Sequence, residues 1–454
     1  MYKRQGYNPI KVSQAYYCED PFLNQLGVNP VFNLLTSTLD DNRKENRTLH
    51  LMSEEDALSK VQKYLHRQGI DRLSPIARKV EREGTPNRRN VVLVFMESMS
   101  ANLMGTFGSD KKLTPYLDSL YQQSLSFSHF YSSGIHTNHG IYSTLYSFPA
   151  IMKRNAMKGS VIPVYSGLPT VLQENGYCNL FFMTHESQYD NMNAFLRTNG
   201  FDEIYAQENY PSEKVVNSFG VQDDFMYQYA LPILNERAGT GNPFFSVLLS
   251  ISNHPPYVIP PYFHPHSDVL EEQIVEYADW SIRQFMQAAE KQPWFDNTIF
   301  VFLGDHGKMV GTPECEMPQS YNHIPLMIYG KDIKPGVYDG FGGQVDVSPT
   351  LLGLLNISYL QNNFGVNLLE EERPCMFFTA DNLIGARDSV NMFIYSPDSQ
   401  QEFKYKLEEG KLHAATGTDE EAFRNLKDYC FSMLQSTESL VKEHKTLDKV
   451  SVKK

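Results

Sequence analysis

From Asn90 onward the chain alternates short, uninterrupted apolar runs with longer amphipathic stretches, and few folds tolerate that pattern. The runs are Val91–Met96, Leu180–Met183, Phe244–Ile251, Ile299–Leu303, Pro325–Tyr329 and Cys375–Phe378. A strand with one wet face alternates polar and apolar residues, whereas a continuous run has to be covered on both sides. Helix patterns lie between the runs: Leu113–Gln123, opened by Thr114-Pro115, then Pro169–Glu174, Asp224–Leu234 and Glu271–Ala289. In the last, Ile274, Ala278, Ile282, Phe285 and Ala289 share one face. A further helix, Val347–Leu355, is expected to begin after Asp346. The expected fold class is α/β, a mostly parallel central sheet sandwiched by helices. Ligands in such sheets bind beyond the carboxyl ends of the strands, so chemistry is sought just after each run.

Flanking this core, residues 1–88 read as a lead-in. Pro21–Leu35 has no clean periodicity. Ser53-Glu54-Glu55-Asp56 resembles a capping box, Ala57, Leu58, Val61 and Leu65 follow at helical spacing, and Gly69 stands where the helix should stop. Residues 89–380 form the expected catalytic unit and 381–454 an α+β extension packed on it. In that extension Met392–Ser396 and Phe403–Leu407 pair as antiparallel strands around Ser396-Pro397-Asp398-Ser399, giving a small C-terminal antiparallel sheet. A final helix, Glu420–Val441, precedes a solvated, frayed Lys-rich tail.

The chain has 454 residues, 41% of them hydrophobic, which is enough for one large buried core. Its formal net charge of -13 repels phosphate backbones and argues against a nucleic-acid partner. Cys18, Cys178, Cys315, Cys375 and Cys430 are scattered without C-x-x-C spacing, which favours free thiols over the alternative of a single bridge. No apolar run approaches the roughly 20 residues that cross a bilayer. Met1-Tyr2-Lys3-Arg4-Gln5 reads as foreign sequence, so the natural N-terminus is expected to be missing.

Three runs end in groups suited to a metal ion or a phosphate. Glu97 follows the first, Ser252-Asn253-His254-Pro255-Pro256 follows Phe244–Ile251, and Gly304-Asp305-His306-Gly307 closes Ile299–Leu303. Glu97, Asp305 and His306 together suit Mn²⁺, Mg²⁺ or Zn²⁺. A lone Glu at this place is ordinarily a cap or surface residue; Asp-His between glycines after a buried strand is far less ordinary. His254 alone could be a loop histidine. The segment Ser132–Ser143 is loop-like and then turns helical, and local sequence reads Thr137 or Ser133 as its N-cap. A Thr hydroxyl at a helix N-terminus beside a divalent ion would instead be an activated nucleophile.

These residues lie in stretches that resemble the lipoteichoic acid synthase family of phosphoglycerol transferases, within the alkaline phosphatase and sulfatase superfamily. The stretches are Asn90–Ser98, Leu113–Leu120, Gly134–Leu145, Asp190–Phe201, Asn253–Tyr257, Phe300–Gly307, His323–Gly330 and Asp346–Leu355. The resemblance implies that Glu97, Thr137, Asp305 and His306 hold one divalent ion, Mn²⁺ before Mg²⁺ or Zn²⁺. It implies that Thr137 attacks the phosphorus of a phosphatidylglycerol-like membrane lipid, and that a glycan or polyol-phosphate acceptor then displaces the phosphothreonine. His254 takes the substrate-side histidine role. His185, Asp190 and Asn191 fall where the head group would be contacted. His139 is a further candidate there, and His323 is either a metal-side residue or a strand-start residue. Where the synthases proper carry a Trp-Asn-Arg cluster, this chain has Tyr189-Asp190-Asn191-Met192, closer to the periplasmic-glucan phosphoglycerol transferases. The resemblance also implies the extracytoplasmic face of a bacterial cytoplasmic membrane, with transmembrane helices ahead of the catalytic unit and Pro9–Leu35 running from one to the other.

Other readings share the fold. A sulfatase activity needs Cys or Ser in C/S-x-P-x-R, and Cys315-Glu316-Met317-Pro318-Gln319 lacks both the spacing and the Arg. A phosphoethanolamine transferase differs in head group, a phosphodiesterase in using water as acceptor, and a glycan-binding domain in lacking catalysis.

Overall fold

The structure is a computed structural model that describes Val31 and residues 49–447, apart from 71–72, 159–161, 409 and 416–419. The expectations for Pro9–Leu35, for Cys18 and for most of the Lys-rich tail lie outside the described residues. Eight strands build the central sheet: β1 (Asn90–Met96), β2 (Leu125–Tyr131), β3 (Cys178–Met183), β4 (Glu203–Tyr205), β5 (Phe244–Leu249), β6 (Thr298–Gly304), β7 (Leu326–Tyr329) and β8 (Gly336–Gly343). Their spatial order is β8-β2-β7-β6-β1-β5-β3-β4. All run parallel except β7, which is antiparallel to both β6 and β2.

The two-sided burial read from the sequence is visible in β1. Val91, Leu93 and Phe95 enter one apolar core, while Val92, Val94 and Met96 enter another on the opposite face. The longer helices are α1 (Glu54–Tyr64), α2 (Pro115–Gln123), α3 (Thr137–Tyr146), α4 (Leu168–Glu174), α5 (Asp223–Ala238), α6 (Leu270–Ala289), α7 (Gln344–Leu354) and α8 (Glu420–Lys442), with shorter ones at Met192–Thr198 and Gln319–Asn322. Side chains of α3, α4, α7 and α8 fill the first core, and those of α2, α5 and α6 the second. In α1, Ser53 Oγ accepts the Asp56 N–H as its sequence predicts, and the helix ends at Tyr64, one turn before Gly69. No helix among the described residues is long and apolar enough to cross a membrane.

A second sheet is an antiparallel meander of β9 (Met376–Thr379), β10 (Ile384–Arg387), β11 (Asn391–Ser396), β12 (Gln401–Glu408) and β13 (Lys411–Ala414). The hairpin expected around Ser396–Ser399 joins β11 to β12. The run Cys375–Phe378 therefore belongs to this sheet and not to the parallel one, because β9 pairs only with β10. A second correction concerns α7, which begins at Gln344 and not after Asp346. Asp346 lies inside its first turn, where Oδ2 accepts the Gly343 N–H and the carboxylate is paired with the buried Arg373 guanidinium. Four cysteines, Cys178, Cys315, Cys375 and Cys430, are free thiols, as expected.

Candidate active site

The register of the central strands builds the site. Met96 lies opposite Gly304 in the parallel pair of β1 and β6, so the next residues, Glu97 and Asp305, leave the sheet side by side. Ser98 turns the chain with φ 51° and donates its N–H to Asp305 Oδ1 at 2.8 Å. The same oxygen accepts the His306 N–H at 2.8 Å, while Asp305 Oδ2 is buried with no hydrogen-bond partner. Glu97 is also buried, with Oε1 accepting the Ser98 hydroxyl at 2.7 Å. Burial and the neighbouring Asp305 carboxylate push Glu97 well above the usual carboxylate range. His306 Nδ1 lies 2.7 Å from the Gly307 carbonyl, which can only accept, so Nδ1 carries the proton. That leaves the lone pair on Nε2, which is 3.6 Å from Asp305 Oδ2 and 3.8 Å from Glu97 Oε1.

Glu97, Asp305 and His306 can thus each offer one atom within 4.8 Å of the others. An orphaned buried oxygen, a carboxylate whose charged form is destabilised and an imidazole held in its ligating tautomer fit a divalent cation. The donor set admits Mn²⁺, Mg²⁺ or Zn²⁺.

Thr137 completes the group. It is the first residue of α3, with His136 as N-cap and no side-chain capping bond, so its hydroxyl is not used as a cap. That hydroxyl reaches Glu97 Oε2 at 3.4 Å. Helix and strand end meet closely because residue 140 is glycine: a Cβ there would fall 2.2 Å from the Asp305 carbonyl oxygen. Gln344 ties the same parts from the other side. Its Nε2 donates to the carbonyls of Gly304 (3.1 Å) and Asp305 (2.7 Å), and its Oε1 accepts the Ser133 N–H at 3.0 Å.

The remaining candidates separate by position. His254 is half-buried, packs on Phe219 with ring centres 4.2 Å apart, and points Nδ1 at the Pro255 carbonyl. Before it, Asn253 Nδ2 donates to the carbonyls of Glu97 and Ser98, and Asn253 Oδ1 accepts Lys308 Nζ at 2.6 Å. Burial lowers the Lys308 ammonium to about 8. Asp190 accepts Asn138 Nδ2 at 3.1 Å and Lys158 Nζ at 2.8 Å, which joins it to the residue after Thr137. Asn191, by contrast, donates to the Met157 carbonyl of a separate loop. His185 is buried beside Tyr189, and burial lowers its pKa. His139 is buried beneath Gly134, where a Cβ would fall 2.3 Å from Nδ1; burial lowers it to about 3, so it packs as a neutral ring. His323 takes the strand-start alternative: Nε2 donates to the Ser128 carbonyl and the ring stacks on Tyr131.

Sequence reasoning missed Gln344, Lys308, Lys158 and the pair His136–Asp381, 2.6 Å apart. Lys308 follows the Asp-His-Gly signature and could have been found from that place. Gln344 and Asp381 carry no local signal.

The sulfatase family profile matches residues 89–357. Among curated proteins, the chain is 25% identical over 362 residues to the lipoteichoic acid synthase-like YvgJ of Bacillus subtilis, covering 72% of this chain and 56% of that protein. It is 24% identical over 400 residues to the lipoteichoic acid synthase of Staphylococcus aureus strain USA300, covering 78% and 58%. The chain therefore spans only a little over half the length of these relatives. Among solved structures, a protein in the alkaline phosphatase superfamily from Vibrio parahaemolyticus superposes with a TM-score of 0.78 at 25% identity, covering 87% of this chain and 97% of that one. The lipoteichoic acid synthase LtaP from Listeria monocytogenes does so with a TM-score of 0.68 at 21% identity, covering 85% and 98%. Both likenesses are of fold; with more than half its length inside the profile, this chain belongs to the sulfatase family.

Proposed function

We propose that this chain is the catalytic part of a metal-dependent transferase that moves a phosphoglycerol or closely similar phospho-head group from a membrane phospholipid to a glycan or polyol-phosphate acceptor. The observation that carries the reading is the Thr137 hydroxyl, free of any capping role, 3.4 Å from Glu97 in the one acid–histidine metal cluster found among the described residues. A divalent ion held by Glu97, Asp305, His306 and Thr137, Mn²⁺ in the first place, would ease loss of the Thr137 proton and offset the charge of the phosphodiester. The Thr137 proton passes to bulk water, Thr137 Oγ bonds to phosphorus, and the bond from phosphorus to the diacylglycerol oxygen breaks. His254 supplies the proton to that departing oxygen. In the second half the acceptor hydroxyl gives its proton to His254 and attacks phosphorus, and Thr137 leaves and takes a proton back from bulk water. The N–H groups opening α3 face the same anion. Asp190, poised by Asn138 and Lys158, and His185 are the head-group contacts.

On this reading residues 1–88 are a membrane-proximal lead-in, 89–380 the catalytic unit and 381–454 its extension, working at the extracytoplasmic face of the membrane. The test is intact-protein mass spectrometry after incubation with phosphatidylglycerol and Mn²⁺, followed by peptide mapping. One glycerophosphate on Thr137 is the expected result. An adduct from phosphatidylethanolamine alone would keep the mechanism and change the head group. No adduct from either lipid, in metal-loaded protein, would sink the transferase reading.

A further inference from the structure

A cavity of about 310 Å³ opens between the start of α2 and the middle of α6, closed on one side by the segment Phe263–His266. That volume is at the small end of ligand pockets, about 300–1,000 Å³. Three aromatic side chains wall it, Tyr116, Phe263 and Trp280, with the last two ring centres 5.5 Å apart. Two carboxylates line it and are buried, those of Glu276 and Asp279. Each is held in place by backbone N–H groups: Asp279 accepts those of Tyr116 and Leu117 at 3.0 and 2.8 Å, and Glu276 those of His266 and Ser267 at 2.7 and 3.0 Å. One backbone bond to each oxygen, with His266 Nδ1 a further 3.4 Å from Glu276 Oε2, leaves lone pairs free. At the rim Lys112 and Arg283 are exposed cations.

Charge and shape restrict what fits. A purely apolar occupant would strip water from two buried carboxylates without replacing its hydrogen bonds. A compact anion would meet Glu276 and Asp279, and a cation would meet Lys112 and Arg283. A neutral ring with one apolar face and a fringe of hydroxyls meets neither objection. Its C–H face covers the aromatic walls, and its hydroxyls donate to the carboxylates and accept from the guanidinium. We propose that this cavity is a saccharide subsite taking a neutral pyranose unit. The cavity's two loop walls start at the catalytic centre, since Glu97 leads along the chain to Lys112 and His254 leads to Phe263. Serving the acceptor glycan is therefore its natural use; that use rests on the transferase reading, whereas saccharide binding does not.

The chain has two tryptophans, and Trp294 is only 4% exposed, so a ligand-dependent change in emission reports on Trp280. The experiment titrates the full chain with neutral gluco-, manno- and galacto-oligosaccharides, with inorganic phosphate and phosphatidylglycerol vesicles as comparisons. A saturable emission change with at least one oligosaccharide is expected. Calorimetry on Arg283→Ala should then show binding about tenfold weaker, the loss that follows from removing a charged hydrogen bond. Trp280→Ala should abolish binding, and the exposed Arg283 keeps the test decisive if that variant does not fold. No saturation with any oligosaccharide, unchanged affinity in Arg283→Ala, or saturation by phosphate or vesicles instead would each overturn the assignment. Repeating the titration with Thr137→Ala separates the two readings. Binding without transfer in the parent protein counts against the transferase alone, while transfer without binding counts against the cavity alone.

Discussion

Asp305 keeps one carboxylate oxygen buried and unpartnered while the other holds two backbone N–H groups. An orphaned buried acceptor costs about 1–3 kcal/mol, so the arrangement favours a cation over empty space. Asp305→Asn should lose the ion on dialysis, yet melt at or above the temperature of metal-stripped parent protein, because it relieves the repulsion on Glu97. Metal analysis and melting curves with and without chelator check this, and unchanged metal content would remove Asp305 from the ligand set. Thr137→Ala should lower transfer by at least about a thousandfold, as removal of a covalent nucleophile does, with melting nearly unchanged. Gln344→Ala would orphan the Ser133 N–H and two carbonyls, and is expected to cost about 1–3 kcal/mol of stability and to lower kcat more than it raises KM. Asp305 and His306 were legible between glycines after a buried strand and Glu97 at a strand end, whereas Thr137 read locally as an N-cap and became a candidate only through the resemblance. Gln344 was not legible: its partner Ser133 is 211 residues away, and a polar residue opening a helix looks the same whether it caps or clamps.

Among the elements, α3 owes its place to Gly140. Gly140→Ala should favour the isolated helix by about 1 kcal/mol, yet its methyl would collide with the Asp305 carbonyl. The expected net result is a loss of about 1–3 kcal/mol and of most activity, since the helix carrying Thr137 is pushed off the ligand-bearing strand. Melting curves and kinetics on the same preparation check it, and a more stable, fully active variant would show that the contact is not tight. Elements were readable where burial is two-sided, as in β1, β3, β5 and β6. β2, Leu-Ser-Phe-Ser-His-Phe-Tyr, and the glycine-rich β8 escaped notice. They pair with each other near one edge of the sheet, where half-exposed sequence looks like loop and strand identity comes from the partner.

At the scale of the whole molecule, α8 is buried nearly all round from Tyr429 to Leu440, packed against α1 and the second sheet. Glu438 lies within it, accepting the Leu49 N–H, and burial pushes its carboxyl up to about 7. The folded protein therefore holds that proton more tightly than the unfolded chain. The associated stability is fully present below about pH 4.5 and is lost as pH rises through about 7, at most on the order of 3 kcal/mol. Glu438→Gln keeps the acceptor and removes the charge, so it should melt above the parent at pH 8 and level with it at pH 4.5; equal melting at both would disprove the assignment. The second sheet has another reach: the Thr379 N–H donates to the Ser133 carbonyl, and Asp381 holds His136, the residue before the proposed nucleophile. A chain made from its N-terminus therefore exposes Thr137 long before the hairpin that braces it has been synthesised. The contact that braces the residue before Thr137 spans 245 residues of chain, so the finished geometry of this helix start waits on a sheet made well after it.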